Sequence, residues 1–173
     1  MELLKASSKD FNELIRFYRN VILNTKDMDT YAKWEYGKHP TDDMILGYIR
    51  TGAMYFCKKE GEIIAAVAVT PFQGEDYHDT LWSISLKDSE VSVVHILCVD
   101  PKLQKQGIAR EIMEHIIELS RKQGKKAVRL DALACNTPAH RLYEGLGFER
   151  KSIRRWYAEN VGWTDFFLFE LPL

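Results

Sequence analysis

Val99-Asp-Pro-Lys-Leu-Gln104-Lys-Gln-Gly107-Ile-Ala109-Arg110 is the stretch from which the rest of the chain is read. Upstream of it, Val91 to Val99 is apolar on both faces, as a central strand covered on both sides is. Downstream, Ala109 to Gln123 carries Ile112, Met113, Ile116 and Ile117 on one stripe, and Gly124 follows as a C-terminal cap. The quoted segment is therefore a strand-to-helix turn. Gly107 permits a tight bend, and Ala109 is small enough for close backbone approach. The first N–H groups of a helix lack intrahelical partners and sit at the positive end of the dipole, which suits a phosphate or pyrophosphate. Lys102, Lys105 and Arg110 add positive charge. Taken by itself, the segment reads equally well as a plain turn with small residues for packing. It lacks Gly-Lys-Ser/Thr, so it is not a P-loop, and it lacks the leading Gly-x-Gly of the dinucleotide fingerprint.

Further along comes Asn136-Thr-Pro-Ala139-His-Arg-Leu-Tyr143-Glu-Gly-Leu-Gly147-Phe148. Asn is a good N-cap and Pro is tolerated in the first turn, so a short helix starts here. Asn136, Ala139 and Tyr143 share one of its faces. A phenol there could protonate a departing thiolate, although an isolated Tyr is more often a packing residue.

The remaining elements are read outward from these two. Residues 2–6 suit a short edge strand. Lys9 to about Thr25 has apolar residues at helical spacing, and a second helix opens at Thr41 and ends at Thr51-Gly52. Ala53 to Cys57 and Glu62 to Thr70 read as a hairpin around residues 58–61, and Ala127 to Ala132 as a strand. Two last strands, about Phe148–Tyr157 and Trp163–Leu171, close the chain. The order is that of an α/β (α+β) fold with a mixed sheet. With no linker or repeat visible, residues 1–173 are expected to form a single domain.

Together the two motifs resemble the GNAT superfamily of acyl-coenzyme-A-dependent N-acetyltransferases. The resemblance runs from about Val91 to Phe148: a strand, Gln104-x-x-Gly107-x-Ala109, a helix, and about 27 residues later Asn136-x-x-Ala139-x-x-x-Tyr143. It implies a mostly antiparallel sheet of six to seven strands flanked by about four helices. It implies acetyl-CoA as cosubstrate, with its pyrophosphate on the backbone of Gln104, Lys105, Gln106, Gly107, Ile108 and Ala109, beside Arg110. The pantetheine arm would run along Leu97, Cys98 and Val99 and meet Asn136 and Ala139, and Tyr143 would be the general acid. An amine would attack the thioester directly, with a strand N–H at the oxyanion. Ala109 stands where Gly is more usual. A non-catalytic coenzyme-A-binding sensor of the same fold is the alternative.

The amine must lose a proton, and the strand offers Glu90 and His95 as candidate bases. By period two, His95 shares a face with Leu97 and Val99, and its ordinary pKa near 6.5 suits the task. A hydrogen-bonded core histidine is an equal reading. Asp131 is a weaker candidate, better read as solvated or cap-bonded. Acceptor recognition is assigned to residues 26–40, the 71–90 loop and the Trp156–Gly162 loop. These hold Asp27, Asp29, Glu75, Asp76 and Asp79 with Tyr31, Trp34, Tyr36 and Tyr77. Carboxylates and aromatic faces suit a cationic amine.

Composition narrows the classes. Lys plus Arg is 24 and Asp plus Glu 25, which argues against a general nucleic-acid binder. The longest apolar run, Ile63 to Val69, is far short of the roughly 20 residues a membrane span needs. Charge in Met1-Glu2-Leu3-Leu4-Lys5 leaves no secretory apolar region, so a cytoplasmic protein is expected. Cys57, Cys98 and Cys135 are poor material for a disulfide framework or a zinc site, and no metal is expected. The C-terminal strands are apolar on both faces; one face could serve a homodimer, or bury against the domain's own helices.

Overall fold

Local chemistry starts three of the four helices. The Thr41 hydroxyl accepts from the Met44 N–H at 3.1 Å and opens α2, Asp42–Arg50. Asn136 does the same for α4, Thr137–Gly145, through Ala139 N–H at 3.3 Å. Gly107, with φ 84°, turns the chain into α3, Ile108–Lys122. The first helix, α1, spans Phe11–Asn24.

The computed structural model describes residues 1–173. Its strands are β1 Leu4–Lys5, β2 Met54–Lys59, β3 Glu62–Thr70, β4 Val91–Val99, β5 Ala127–Leu133, β6 Glu149–Ala158 and β7 Gly162–Pro172. They form one seven-stranded sheet in the order β1-β2-β3-β4-β5-β7-β6. Only β4 and β5 run parallel; the other neighbours are antiparallel. The expected mixed, mostly antiparallel sheet with four helices is what forms.

Each face of the sheet buries its own core. On one side Ile112, Met113 and Ile116 of α3 pack with Val94, Val99, Val128, Leu130 and Tyr143. On the other, Leu14, Phe17, Tyr18, Ile45 and Ile49 of α1 and α2 pack with Ala66, Ala68, Ile96 and Cys98. The 71–90 segment covers a third, smaller cluster of Tyr77, Val91 and Val93, with Trp82 and Trp156 against it. The outer hairpin is covered only in part. Trp156 packs on Tyr77 and Phe166, whereas Ile153, Tyr157 and Trp163 stay exposed.

Two irregularities position the site. First, β4 carries a bulge. Ala66 pairs with Cys98 and Ala68 with His95, so Ile96 and Leu97 together face Val67. Ile96 takes a left-handed φ of 44°, and its carbonyl accepts from the buried Tyr18 hydroxyl at 3.0 Å. Second, β4 and β5 pair only from Val91↔Ala127 to Val94↔Leu130 and then part. β5 remains fully paired to β7 on its other side, so the opening lies between β4 and β5 alone.

Candidate active site

A cleft of about 1190 Å³ occupies this opening. At one end lies the 104–110 turn. The first backbone donor of α3 is the Glu111 N–H, bonded to Gly107 O at 3.0 Å, so the N–H groups of residues 105–110 are free of backbone partners. Left-handed conformations at Lys105 (φ 62°) and Gly107 (φ 84°) curl them into a concavity, the geometry of an anion nest. The Gln104 amide ties the turn to Thr25 Oγ1 at 3.2 Å and Val99 O at 3.4 Å. Gln104, Lys105, Gly107, Ile108, Ala109 and Arg110 all line the cleft. Gln106 does not: its side chain reaches back to Lys102 O. The Arg110 guanidinium is engaged by Gly145 O at 2.9 Å and by Glu114. A turn of outward N–H donors with lysine charge fits a pyrophosphate.

Along the middle of the cleft run Leu97, Cys98 and Val99 on one side and Asn136, Ala139 and Tyr143 on the other. The Asn136 carbonyl oxygen is used as the α4 cap, which leaves its NH₂ donors for the cleft. Tyr143 is buried among Phe148, Phe169 and the α3 core. Burial, and then the negative field of Asp131, push its phenol well above the usual tyrosine range. It is therefore a protonated donor at neutral pH.

The far end is walled by Met28, Tyr31, Trp34, His39, Tyr48, Ala158 and Asn160. His95 and Asp131 stand at its base, each the first residue beyond the last paired position of its strand. Asp131 Oδ1 accepts from the Tyr77 hydroxyl at 2.6 Å. Burial raises the Asp131 pKa, and the Tyr77 bond and His39 act against that rise. His95 stacks on Tyr48 at 5.6 Å and shares a hydrogen bond with Thr70 Oγ1 at 3.1 Å.

Several expectations change here. Strict alternation put His95 on one face with Leu97 and Val99. The bulge at Ile96 reverses the parity, so His95 faces α2 while Leu97 and Val99 face α3. Burial also lowers the His95 pKa to about 4, so it is neutral at pH 7 and a weak base. Glu90 lies outside the cleft. It precedes β4, caps Lys87 N–H at 2.8 Å, and stands roughly 16 Å of extended chain from His95. Asp131 is not a cap: it is half-buried, lines the cleft and accepts from Tyr77. Cys98 turns its thiol to the α1–α2 core, where burial pushes its pKa up. Residues 26–40 and 156–162 contribute to the cleft wall, but the 71–90 loop does not: its link to the lining is the Tyr77 hydroxyl on Asp131.

In β5, Val128, Leu130 and Ala132 alternate with Arg129 and Asp131, so the strand carries two charges on one face, and such charges need partners. Arg129 is fully buried and bonds Glu170 Oε1 at 2.7 Å, Gln73 Oε1, and Ile84 O at 3.0 Å, with Trp82 at 4.1 Å over its guanidinium.

No helix is long and apolar enough to cross a membrane. A curated relative, the ribosomal protein bS18 alanine N-acetyltransferase of Escherichia coli K12, is 38% identical over 78 residues. That alignment takes in 44% of this chain and 53% of the relative, so the chain spans about half the length of the curated relatives it matches. Among solved structures, the ribosomal-protein-alanine N-acetyltransferase of Brucella melitensis superposes with a TM-score of 0.73 at 17% identity, covering 100% of both chains. A Salmonella typhimurium protein described as an acetyltransferase, solved with its cofactor acetyl-CoA, gives 0.72 at 18% identity and covers 100% of this chain and 94% of that one. The model of the Acetyltransferase (GNAT) family matches residues 10–148, and the chain belongs to that family.

Proposed function

We propose that residues 1–173 form one acetyl-CoA-dependent N-acetyltransferase domain acting on a primary amine of a peptide or small molecule. The observation that carries this reading is the continuous cleft. It joins an N–H-lined anion turn at Gly107 to a carboxylate, Asp131, among aromatic walls. Bound acetyl-CoA supplies an acetyl thioester. The 105–110 N–H groups would hold its pyrophosphate, the Asn136 amide its pantetheine arm, and β4 from Leu97 to Val99 would flank that arm. Tyr143, protonated at neutral pH, donates the proton that the leaving thiolate needs. Asp131 attracts the acceptor as its ammonium ion and takes up the proton released before attack. His95 is neutral and bounds the pocket with Tyr48.

Several relatives are named for acetylating an alanine of a ribosomal protein, which makes an α-amine of a protein chain the first acceptor to try. Three free cysteines fit a reducing compartment, and a cytoplasmic site of action is part of the reading. The test combines calorimetry with acetyl-CoA and a thiol-release assay using an alanyl peptide and linear diamines. Saturable binding with amine-dependent thiol release is expected. Absence of binding at millimolar acetyl-CoA would refute it.

The absence of a β4 group titrating near neutrality favours a second reading, a coenzyme-A-binding module without transfer. It predicts the same binding with no thiol release from any amine.

A further inference from the structure

We infer that Tyr77 is a positioning residue of the acceptor end, its phenol holding the Asp131 carboxylate oriented and ionised from outside the cleft. The inference rests on the reading of Asp131 as the acceptor's carboxylate. Tyr77 comes from the 71–90 segment, none of which lines the cleft. Its ring is buried, 5% exposed, and is held from three directions. It stacks on Trp82 at 5.7 Å with 16° between the planes, and Trp156 lies at 6.2 Å. Its carbonyl accepts from the Trp82 indole N–H at 2.8 Å. Trp82 is in turn pinned by Arg129, two residues along β5 from Asp131. The phenol is thus fixed by the same strand whose carboxylate it serves. A short bond of 2.6 Å to Oδ1 leaves Oδ2 for the cleft.

The groups acting on Asp131 come from each packed element. Tyr77 and Asp76 lie on the 71–90 segment, His39 on the α1–α2 connection, Tyr48 on α2 and Tyr143 on α4. His39 favours the carboxylate and Asp76 opposes it, while burial is the largest influence and favours the neutral acid. A donated hydrogen bond to a carboxylate favours its ionised form. Without the phenol, Asp131 would protonate at higher pH and lose its hold on an ammonium ion.

The experiment follows the Asp131 carboxyl carbon by ¹³C NMR titration in the ligand-free protein, with the signal assigned through Asp131→Asn. Tyr77→Phe should raise its apparent pKa by about one unit, the scale of a hydrogen bond to a charged group. A fluorotyrosine incorporated at position 77 alone is a stronger donor of nearly native shape and should lower it. With the alanyl peptide as acceptor, the acid limb of kcat/KM should move in the same directions, and Tyr77→Phe should recover at high pH. A purely packing role for the ring predicts no movement in either variant. An unmoved Asp131 titration in folded protein overturns the inference, as does wild-type thiol release by Asp131→Asn. A wild-type chain that binds acetyl-CoA and releases no thiol counts against the transferase reading alone. The carboxylate titration then still decides the pairing.

Discussion

His95 on β4 and Asp131 on β5 are the first residues past the last paired positions of two parallel strands, Val94 and Leu130. The vertex of the splay therefore carries an imidazole and a carboxylate side by side in chain register. Their environments drive them oppositely. Burial lowers the histidine to about 4 and raises the aspartate, so each is biased toward its neutral form. Only the aspartate has a phenol opposing that bias.

The histidine leaves a signature in stability. Its folded pKa of about 4 lies below the ordinary 6.5, so the unfolded chain binds more protons between those values. The contribution is fully present above pH 6.5 and is lost as pH falls toward 4. Urea denaturation of His95→Gln should show a flatter decline across that window than wild type. Equal slopes would contradict the burial argument.

The buried pair Arg129–Glu170, 1% and 0% exposed, anchors the segment that carries Tyr77. Removing one partner leaves an uncompensated charge, so Glu170→Gln should cost about 3–5 kcal/mol in urea denaturation. Arg129→Met combined with Glu170→Leu should recover part of that. A cost below about 1 kcal/mol for Glu170→Gln would show that the pair is not buried as described.

Gly107 has φ 84° and nothing within 4 Å of where a Cβ would stand. Its requirement is conformational, not steric. Gly107→Ala should cost about 1–2 kcal/mol in stability and weaken acetyl-CoA binding about tenfold, about 1.4 kcal/mol. Calorimetry checks the second figure; unchanged affinity would detach the turn from the pyrophosphate.

Tyr143→Phe removes one oxygen and keeps the ring that Phe148 and Phe169 pack against. Single-turnover acetylation of the alanyl peptide should slow by about 10²-fold or more, with acetyl-CoA affinity nearly unchanged. An unaltered chemical step would remove the general-acid role.

The amino-acid sequence by itself determined whatever depends on neighbours along the chain. Thr41 and Asn136 cap their helices, the 109–123 stripe selects the α3 face, and Gly107 supplies the left-handed turn. Spacing alone put Asn136, Ala139 and Tyr143 on one helix face. Those features need only local hydrogen bonds and a fixed helical period. Tertiary structure decided the rest. The face taken by His95 depends on a bulge, because one extra residue opposite Val67 reverses every later position of a period-two strand. The place of Asp131 depends on where β4 stops pairing with β5, and its surroundings are set first by burial and then by a hydrogen bond from a phenol 54 residues upstream. Glu90 looked adjacent to the chemistry in sequence, yet an extended strand carries it out of reach. A half-buried carboxylate is read from what surrounds it in space, and chain order does not record that.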